Sequence, residues 1–256
     1  MLYVLHVPRS GGTAVYQSSL RTGLRQHPRV RNGNPVGADG NLLRYWEWPA
    51  ARQERLFRPL GVIFNETCLG DYFEPDKHQY FVLTRDPVER CISHAAQTVL
   101  FFRHETDPAK LVDFLRTSSH PWLQNNITRM LLPLADHLNP TITEEMFQVA
   151  AGRFARMTPI EVGSTLPGWP KPKRRVHRRG AFHAVTAATL PADVRQRLED
   201  LNALDYRLLN SAASVKQHGR PRAGDLLGAE VGDGEAGGAV GGARSGAAAA
   251  RAGGES

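Results

Sequence analysis

The sequence predicts an α/β protein, and three observations carry that reading. A short apolar run, Tyr3 to Val7, ends in Pro8-Arg9-Ser10-Gly11-Gly12-Thr13, and a helix-like pattern follows at once. A second apolar run, Tyr80 to Thr84, passes through Arg85-Asp86-Pro87 into another helical stripe. Short strand-like runs alternate with amphipathic segments over about 218 residues, enough for one domain with a sizeable core. From about Gly219 the composition shifts to Gly, Ala and Arg, ending AGGAVGGARSGAAAARAGGES. A segment with so few large side chains cannot offset its ordering entropy. The expected organisation is a domain over 1–218 and a disordered, low-complexity tail over 219–256.

Residues 3–7 read as the first strand. The glycines after it leave backbone N–H groups unshielded, and the next helix points its positive end and unpaired amides at the same loop. That geometry selects a phosphate or sulfate group. Arg9 adds a permanent charge, and Ser10 and Thr13 add hydroxyl donors. The loop lacks the spacing and the Lys of the NTPase phosphate loop, and it has no dinucleotide fingerprint. The plainer alternative is a tight strand-to-helix turn without a ligand; the basic residue and flanking hydroxyls argue against it.

A helix is expected from Thr13 to about Arg25, with Tyr16, Leu20 and Leu24 on one face. Residues 28–41, rich in Gly, Asn, Pro and Arg, read as a loop. Between 42 and 60, Trp46, Trp48 and Pro49 interrupt any clean period, leaving a short helix over 51–58. Residues 61–64 form a short buried strand, followed by Asn65-Glu66-Thr67-Cys68. Tyr80–Thr84 is the clearest strand. Asp86 serves as N-cap, Pro87 takes the first helical position, and Glu89 completes a capping-box-like pair. The helix then lines up Val88, Cys91, Ile92, Ala95, Ala96, Val99 and Leu100, with Arg90, Ser93, His94 and Gln97 on the opposite side. Further helices are expected near 111–115, over 144–156 and from Leu190 through Leu201, and a strand over 159–163. Asn125 to Leu132 reads as a helix-packing segment.

The net charge is +7. Such a surplus suits a polyanion: nucleic acid, an anionic glycan or a nucleotide. No zinc spacing, RNP motif or recognition helix supports nucleic acid. The basic run 171–180, KPKRRVHRRG, is either a solvated loop or a segment that closes over a cofactor or steers an anionic acceptor. Cys68 and Cys91 make no disulfide framework, and Cys91 reads as a buried thiol. No run approaches the ~18 apolar residues of a membrane span, and no signal-peptide core is evident. A soluble, reduced, cytoplasmic setting is expected, and no metal site.

Residues 6–13, His-Val-Pro-Arg-Ser-Gly-Gly-Thr, resemble the 5′-phosphosulfate loop of sulfotransferases, closest to the carbohydrate-type branch with its usual His-Ile-Pro-Lys-Thr-Gly-Gly-Thr. Residues 82–94, Val-Leu-Thr-Arg-Asp-Pro-Val-Glu-Arg-Cys-Ile-Ser-His, resemble the family's 3′-phosphate motif. The stretch Asn125 to Leu131 is similar to one in bacterial members, and Asn202 to Leu209 resembles the family's closing helix. Arg178-Arg179-Gly180 is a weaker likeness to an Arg-Lys-Gly near the 3′-phosphate. The resemblance implies a P-loop-like sulfotransferase fold, a mainly parallel sheet flanked by helices. It implies 3′-phosphoadenosine 5′-phosphosulfate (PAPS) as donor, held by Arg9, Ser10, Gly11, Gly12 and Thr13 at the 5′ end and by Arg85 and Ser93 at the 3′-phosphate. The acceptor is then a hydroxyl, possible classes including a saccharide.

Sulfuryl transfer is an in-line displacement, so the protein must align the groups and stabilise charge on the departing oxygen. The family usually has Lys where this chain has Arg9. Arginine is never deprotonated in proteins, so Arg9 stabilises the leaving group without being its acid. A hydroxyl acceptor also needs a base. Glu66, at a strand's C-terminal end, is the candidate, with His94 as runner-up; a turn-capping or ion-paired Glu66 is the plainer alternative. His6, on the strand, reads as structural. Two other classes stay open: a kinase-like phosphotransferase, disfavoured by the missing Walker Lys, and a non-catalytic nucleotide- or polyanion-binding protein.

Overall fold

A computed structural model of the chain describes residues 1–31, 33–171 and 182–217. Most of the basic run and the tail beyond residue 217, both singled out in the sequence, lie outside the described residues, as does Arg178-Arg179-Gly180.

The elements run β1 (Leu2–Leu5), α1 (Gly12–Ser19), β2 (Val30–Arg31), β3 (Asn34–Pro35), α2 (Ala50–Phe57), β4 (Val62–Asn65), β5 (Gln79–Thr84), α3 (Pro87–Phe102), α4 (Pro108–Thr117), α5 (Asn126–Leu131), α6 (Glu144–Ala155), β6 (Thr158–Glu161), α7 (Ala192–Leu201) and α8 (Ala203–Gln217). The protein is α/β: a four-stranded parallel sheet of order β4-β1-β5-β6, flanked by helices. Strand alternation sorts the core. Tyr3, Leu5, Tyr80 and Val82 face a layer made with α5, α6 and α8, while Val4, Phe81 and Leu83 face Val15 of α1. A third cluster joins α3 to α4 and α7 through Ile92, Leu115 and Leu198.

The chain leaves β1 toward β4 on one side and leaves β5 toward β6 on the other. Adjacent strands whose connections diverge open a crevice at their carboxyl ends, where α/β sheets bind ligands. Here that crevice lies between β1 and β5.

Several elements differ from the sequence expectation. Helix α1 stops at Ser19, not Arg25. Ser18 Oγ bonds the Ala14 carbonyl and Ser19 Oγ bonds the Tyr16 carbonyl, at 3.1 and 2.6 Å; such back-bonding competes with helix propagation. Leu20 is therefore 58% exposed instead of packed. The expected loop 28–41 contains the β2–β3 hairpin, with Arg31 paired to Asn34. Asp86 caps α3 by accepting from the Glu89 amide at 2.9 Å. The reciprocal half of a capping box is not formed, because Glu89 Oε2 pairs with Arg85 and Oε1 accepts from the Ala187 amide.

Arg90 is the largest correction. It was expected on the polar side of α3, yet it is fully buried. Its Nη1 donates to the Trp122 carbonyl at 2.6 Å and its Nη2 to Asn202 Oδ1 at 3.3 Å. Asp205, also buried, accepts from the amides of Ile127 and Thr128 and from Thr128 Oγ1. Asn125 Oδ1 accepts in turn from the amides of Leu204 and Asp205. The starts of α5 and α8 thus cap each other, which bears out a packing role for the Asn125 segment.

Candidate functional site

The site is built from three strand ends on one edge of the sheet. β1 delivers the Pro8–Gly11 turn, β5 delivers Arg85, and β4 delivers Glu66. The turn is an unusual conformation: Arg9 has φ +70° and Gly11 φ +89°. A left-handed arginine costs on the order of 1–2 kcal/mol. Arg85 offsets part of this by donating from Nη1 to the Arg9 carbonyl at 3.1 Å, and the Ser10 amide bonds the Val7 carbonyl at 3.1 Å. Among the described residues no hydrogen bond is formed by the amides of Gly11, Gly12 or Thr13. Ser10 Oγ is buried and has no partner. Three helix-start amides and a buried hydroxyl around one turn form a donor-rich cradle that fits the oxygens of a phosphate or sulfate group.

Gly12 allows that cradle to lie directly on His6. A Cβ on Gly12 would stand 1.9 Å from the His6 Cδ2 and Nε2 atoms. Burial lowers the His6 pKa, Glu66 opposing this and Arg9 adding to it. A neutral imidazole under a helix start is consistent with the positive end of the helix dipole. Gly12→Ala should therefore destabilise the protein by about 1–3 kcal/mol, although Ala alone favours a helix by ~0.5–1 kcal/mol over Gly. The check is urea unfolding of G12A beside the double variant H6A/G12A, which should recover part of the loss. A G12A protein as stable as the wild type would mean that the ring can move away.

Arg9 reaches across the crevice to α3. Its Nε donates to Ser93 Oγ at 3.3 Å and its Nη1 to Gln97 Oε1 at 2.9 Å. The two loops singled out by sequence are therefore in direct contact, through Arg9–Ser93 on one side and Arg85–Arg9 on the other. Arg85 also lies 3.3 Å from Glu89 Oε2. The bracing of the Arg9 carbonyl by Arg85 was not foreseeable from either motif alone.

Glu66 follows β4 with its side chain 35% exposed. Its Oε2 accepts from Asn34 Nδ2 at 3.0 Å, and its Oε1 lies 3.9 Å from His6 Nε2. Glu66 neither caps a turn nor pairs with an arginine among the described residues. Asn34 was missed, although Asn32-Gly33 is the standard sequence signal for a two-residue hairpin. His94 stacks on Trp122, with ring centroids 5.5 Å apart and planes at 17°. Burial, reinforced by Arg90, His120 and Arg9, lowers its pKa to about 4. A base so placed could take a proton only against three neighbouring basic groups.

Both cysteines are free and buried. Among the described residues no group of three or more His, Cys, Asp or Glu could hold a metal ion, and no helix is long and apolar enough to cross a membrane. The fold and this edge define an α/β protein with a donor-rich turn at its crevice. In comparisons with known proteins, no family model, curated protein or solved structure matches the chain.

Proposed function

We propose that the protein is a sulfotransferase that moves a sulfuryl group from PAPS to an acceptor hydroxyl, on a P-loop-like sulfotransferase fold. One observation carries the reading: the two motif-bearing strand ends, 5′-type and 3′-type, are neighbours in the sheet and their arginines and serine touch. A ligand with anionic groups at both ends of one nucleoside matches that adjacency. The unpartnered Ser10 hydroxyl and the three free helix-start amides fit its 5′ end.

When bound, PAPS supplies an activated sulfuryl group. The amides of Gly11, Gly12 and Thr13 and the Ser10 hydroxyl bind and orient the 5′ oxygens. Arg9 stabilises the charge that develops on the departing oxygen and keeps its own proton. Arg85 and Ser93 hold the 3′-phosphate, which gives the site its preference over ATP. Glu66 takes the acceptor hydroxyl proton on a carboxylate oxygen, held in place by Asn34. His94 is set aside as the base because its ring is largely buried and stacked on Trp122 beside Arg90, His120 and Arg9, which all disfavour the cation it would become. The setting that goes with the proposal is a reducing cytoplasm, supported by the two free, buried thiols.

The test is a pair of measurements. Labelled PAPS with an acceptor panel should show sulfate transfer, and ATP should not replace it. Arg85→Ala should then weaken adenosine 3′,5′-bisphosphate binding by about 1.5–3 kcal/mol, the range for hydrogen bonds to charged groups. AMP, lacking the 3′-phosphate, should lose much less. Equal losses for both nucleotides would assign Arg85 to bracing the Arg9 turn alone. Nucleotide retention without transfer to any acceptor would favour the binding protein over the enzyme.

A further inference from the structure

His6 stands between the amide cradle and the candidate base, and strand pairing puts it there. The β1–β4 register matches Leu5 to Asn65, and the His6 amide donates to the Asn65 carbonyl at 2.7 Å. The next pair across these strands is therefore His6 beside Glu66. The ring edge that carries Nε2 lies against Gly12, the first residue of α1, where an added Cβ would fall 1.9 Å from that nitrogen. The same Nε2 is 3.9 Å from Glu66 Oε1. One imidazole nitrogen borders both halves of the site.

The residue is 4% exposed, and its Nδ1 has no hydrogen-bond partner among the described residues. Packing alone would be served by an apolar side chain, whereas a buried nitrogen without a partner costs free energy. The charged groups that act on the ring are Glu66 from β4 and Arg9 from the turn. Helix α1 adds its amide dipole but no charged side chain, and β5 adds no charged side chain from Gln79 to Thr84. Burial and Arg9 favour the neutral ring, and Glu66 works against them.

Sulfate or phosphate in the cradle brings negative charge to the Gly12 side of the ring while Glu66 stays on the other. Two anionic groups facing one crevice repel each other. Arg9 and Arg85 are directed away from that gap, donating to Ser93, Gln97, the Arg9 carbonyl and Glu89. Among the described residues His6 is the basic group within ion-pair distance of Glu66.

We propose that His6 is a proton-binding positioning residue: an anion settling in the cradle draws one proton from solvent onto the imidazole, and the imidazolium holds the anion and the Glu66 carboxylate in one crevice. This rests on the anion-holding half of the reading above and does not require transfer itself. The charges then alternate: anion, imidazolium, carboxylate. The anion-bound form carries more protons than the anion-free form, so anions bind more tightly as pH falls. The gain stops once the ring is protonated without an anion.

The experiment follows the His6 ring resonances of the full chain by NMR from about pH 5 to pH 8.5, in sodium sulfate and in sodium chloride at matched ionic strength. Sulfate stays a dianion throughout, so the proton taken up belongs to the protein. Sulfate should raise the His6 midpoint by about 1–2 pH units, the usual effect of an opposite charge within ~4–6 Å. The exposed His104, beyond the end of α3, should not move. Sulfate affinity, read from the amides of Gly11, Gly12 and Thr13, should rise about tenfold for each pH unit of that increase. His6→Gln assigns the resonance and should make the affinity flat over the same range. Should H6Q not fold, through-bond correlation to the residue 6 amide assigns the ring in the wild type. A His6 midpoint that ignores sulfate while the three amides respond would overturn the proposal and leave the cradle standing. Amides that ignore sulfate at every pH would remove the cradle, and the transfer reading with it.

Discussion

Glu66→Gln should lower turnover by roughly 10²- to 10⁴-fold, the usual contribution of a positioned general base, while nucleotide affinity stays within about twofold. That corresponds to about 3–5 kcal/mol on the barrier. The separation of effects follows from where Glu66 stands. Its carboxylate touches Asn34 and approaches His6, whereas Arg9 donates to Ser93 and Gln97 and Arg85 to the Arg9 carbonyl and Glu89. Glutamine keeps an oxygen that can accept from Asn34 Nδ2, so the hairpin should stay seated and the loss should be chemical. Nucleotide titration and steady-state kinetics on E66Q read the two halves separately. Undiminished turnover in E66Q, together with a collapse in H94Q, would move the base to α3 despite the three basic groups around His94.

Asp205→Ala should cost about 3–5 kcal/mol of folding stability, because it takes the charged acceptor from three buried donors and removes the negative charge that attracts the buried Arg90. Set against a whole-domain stability of roughly 5–15 kcal/mol, that is a fifth or more. Arg90 is completely buried; its Nη1 and Nη2 donate to the Trp122 carbonyl and to Asn202 Oδ1, which do not neutralise it, and its Nε has no partner among the described residues. Burial pushes the Asp205 carboxyl up; Arg90 and the donors from Ile127 and Thr128 pull against that. Alanine would also uncap α5, whose first amides bond this carboxylate. The check is the urea midpoint of D205A beside R90M and R90M/D205A. Removing both charges should cost clearly less than the two single losses added together. Strict additivity would reduce Asp205 to a helix cap. The consequence for the site is indirect: this network holds α3, and α3 carries Ser93 and Gln97 to Arg9.

The two strand–turn–helix units were legible because they are local. Asp86 and Pro87 specify the start of α3 within four residues, and the Glu89 amide does bond Asp86. The glycine pair after β1 likewise announced a donor-rich turn before any partner was known. Arg90 shows the limit of such reading. A helical wheel assigns faces by hydropathy, and it turned a charged side chain toward water. The α3–α4–α7 cluster and the Asn202–Asp205 corner, the latter more than a hundred residues away, made the buried position tolerable. Asn34 shows the other limit: its hairpin signal is in the sequence, but what the hairpin touches is not.

By itself the sequence determined the α/β alternation, the donor-rich character of the Arg9–Thr13 turn, the cap of α3 and the surplus of arginine. Those follow from backbone sterics, capping and periodicity, which act across a few residues. Only the tertiary structure decided that β1 and β5 are neighbours, that Arg9 spans 84 residues of chain to meet Ser93, and that Asn34 seats Glu66. Strand order is set by which faces must be buried together, a property of the whole core, and no local pattern encodes it.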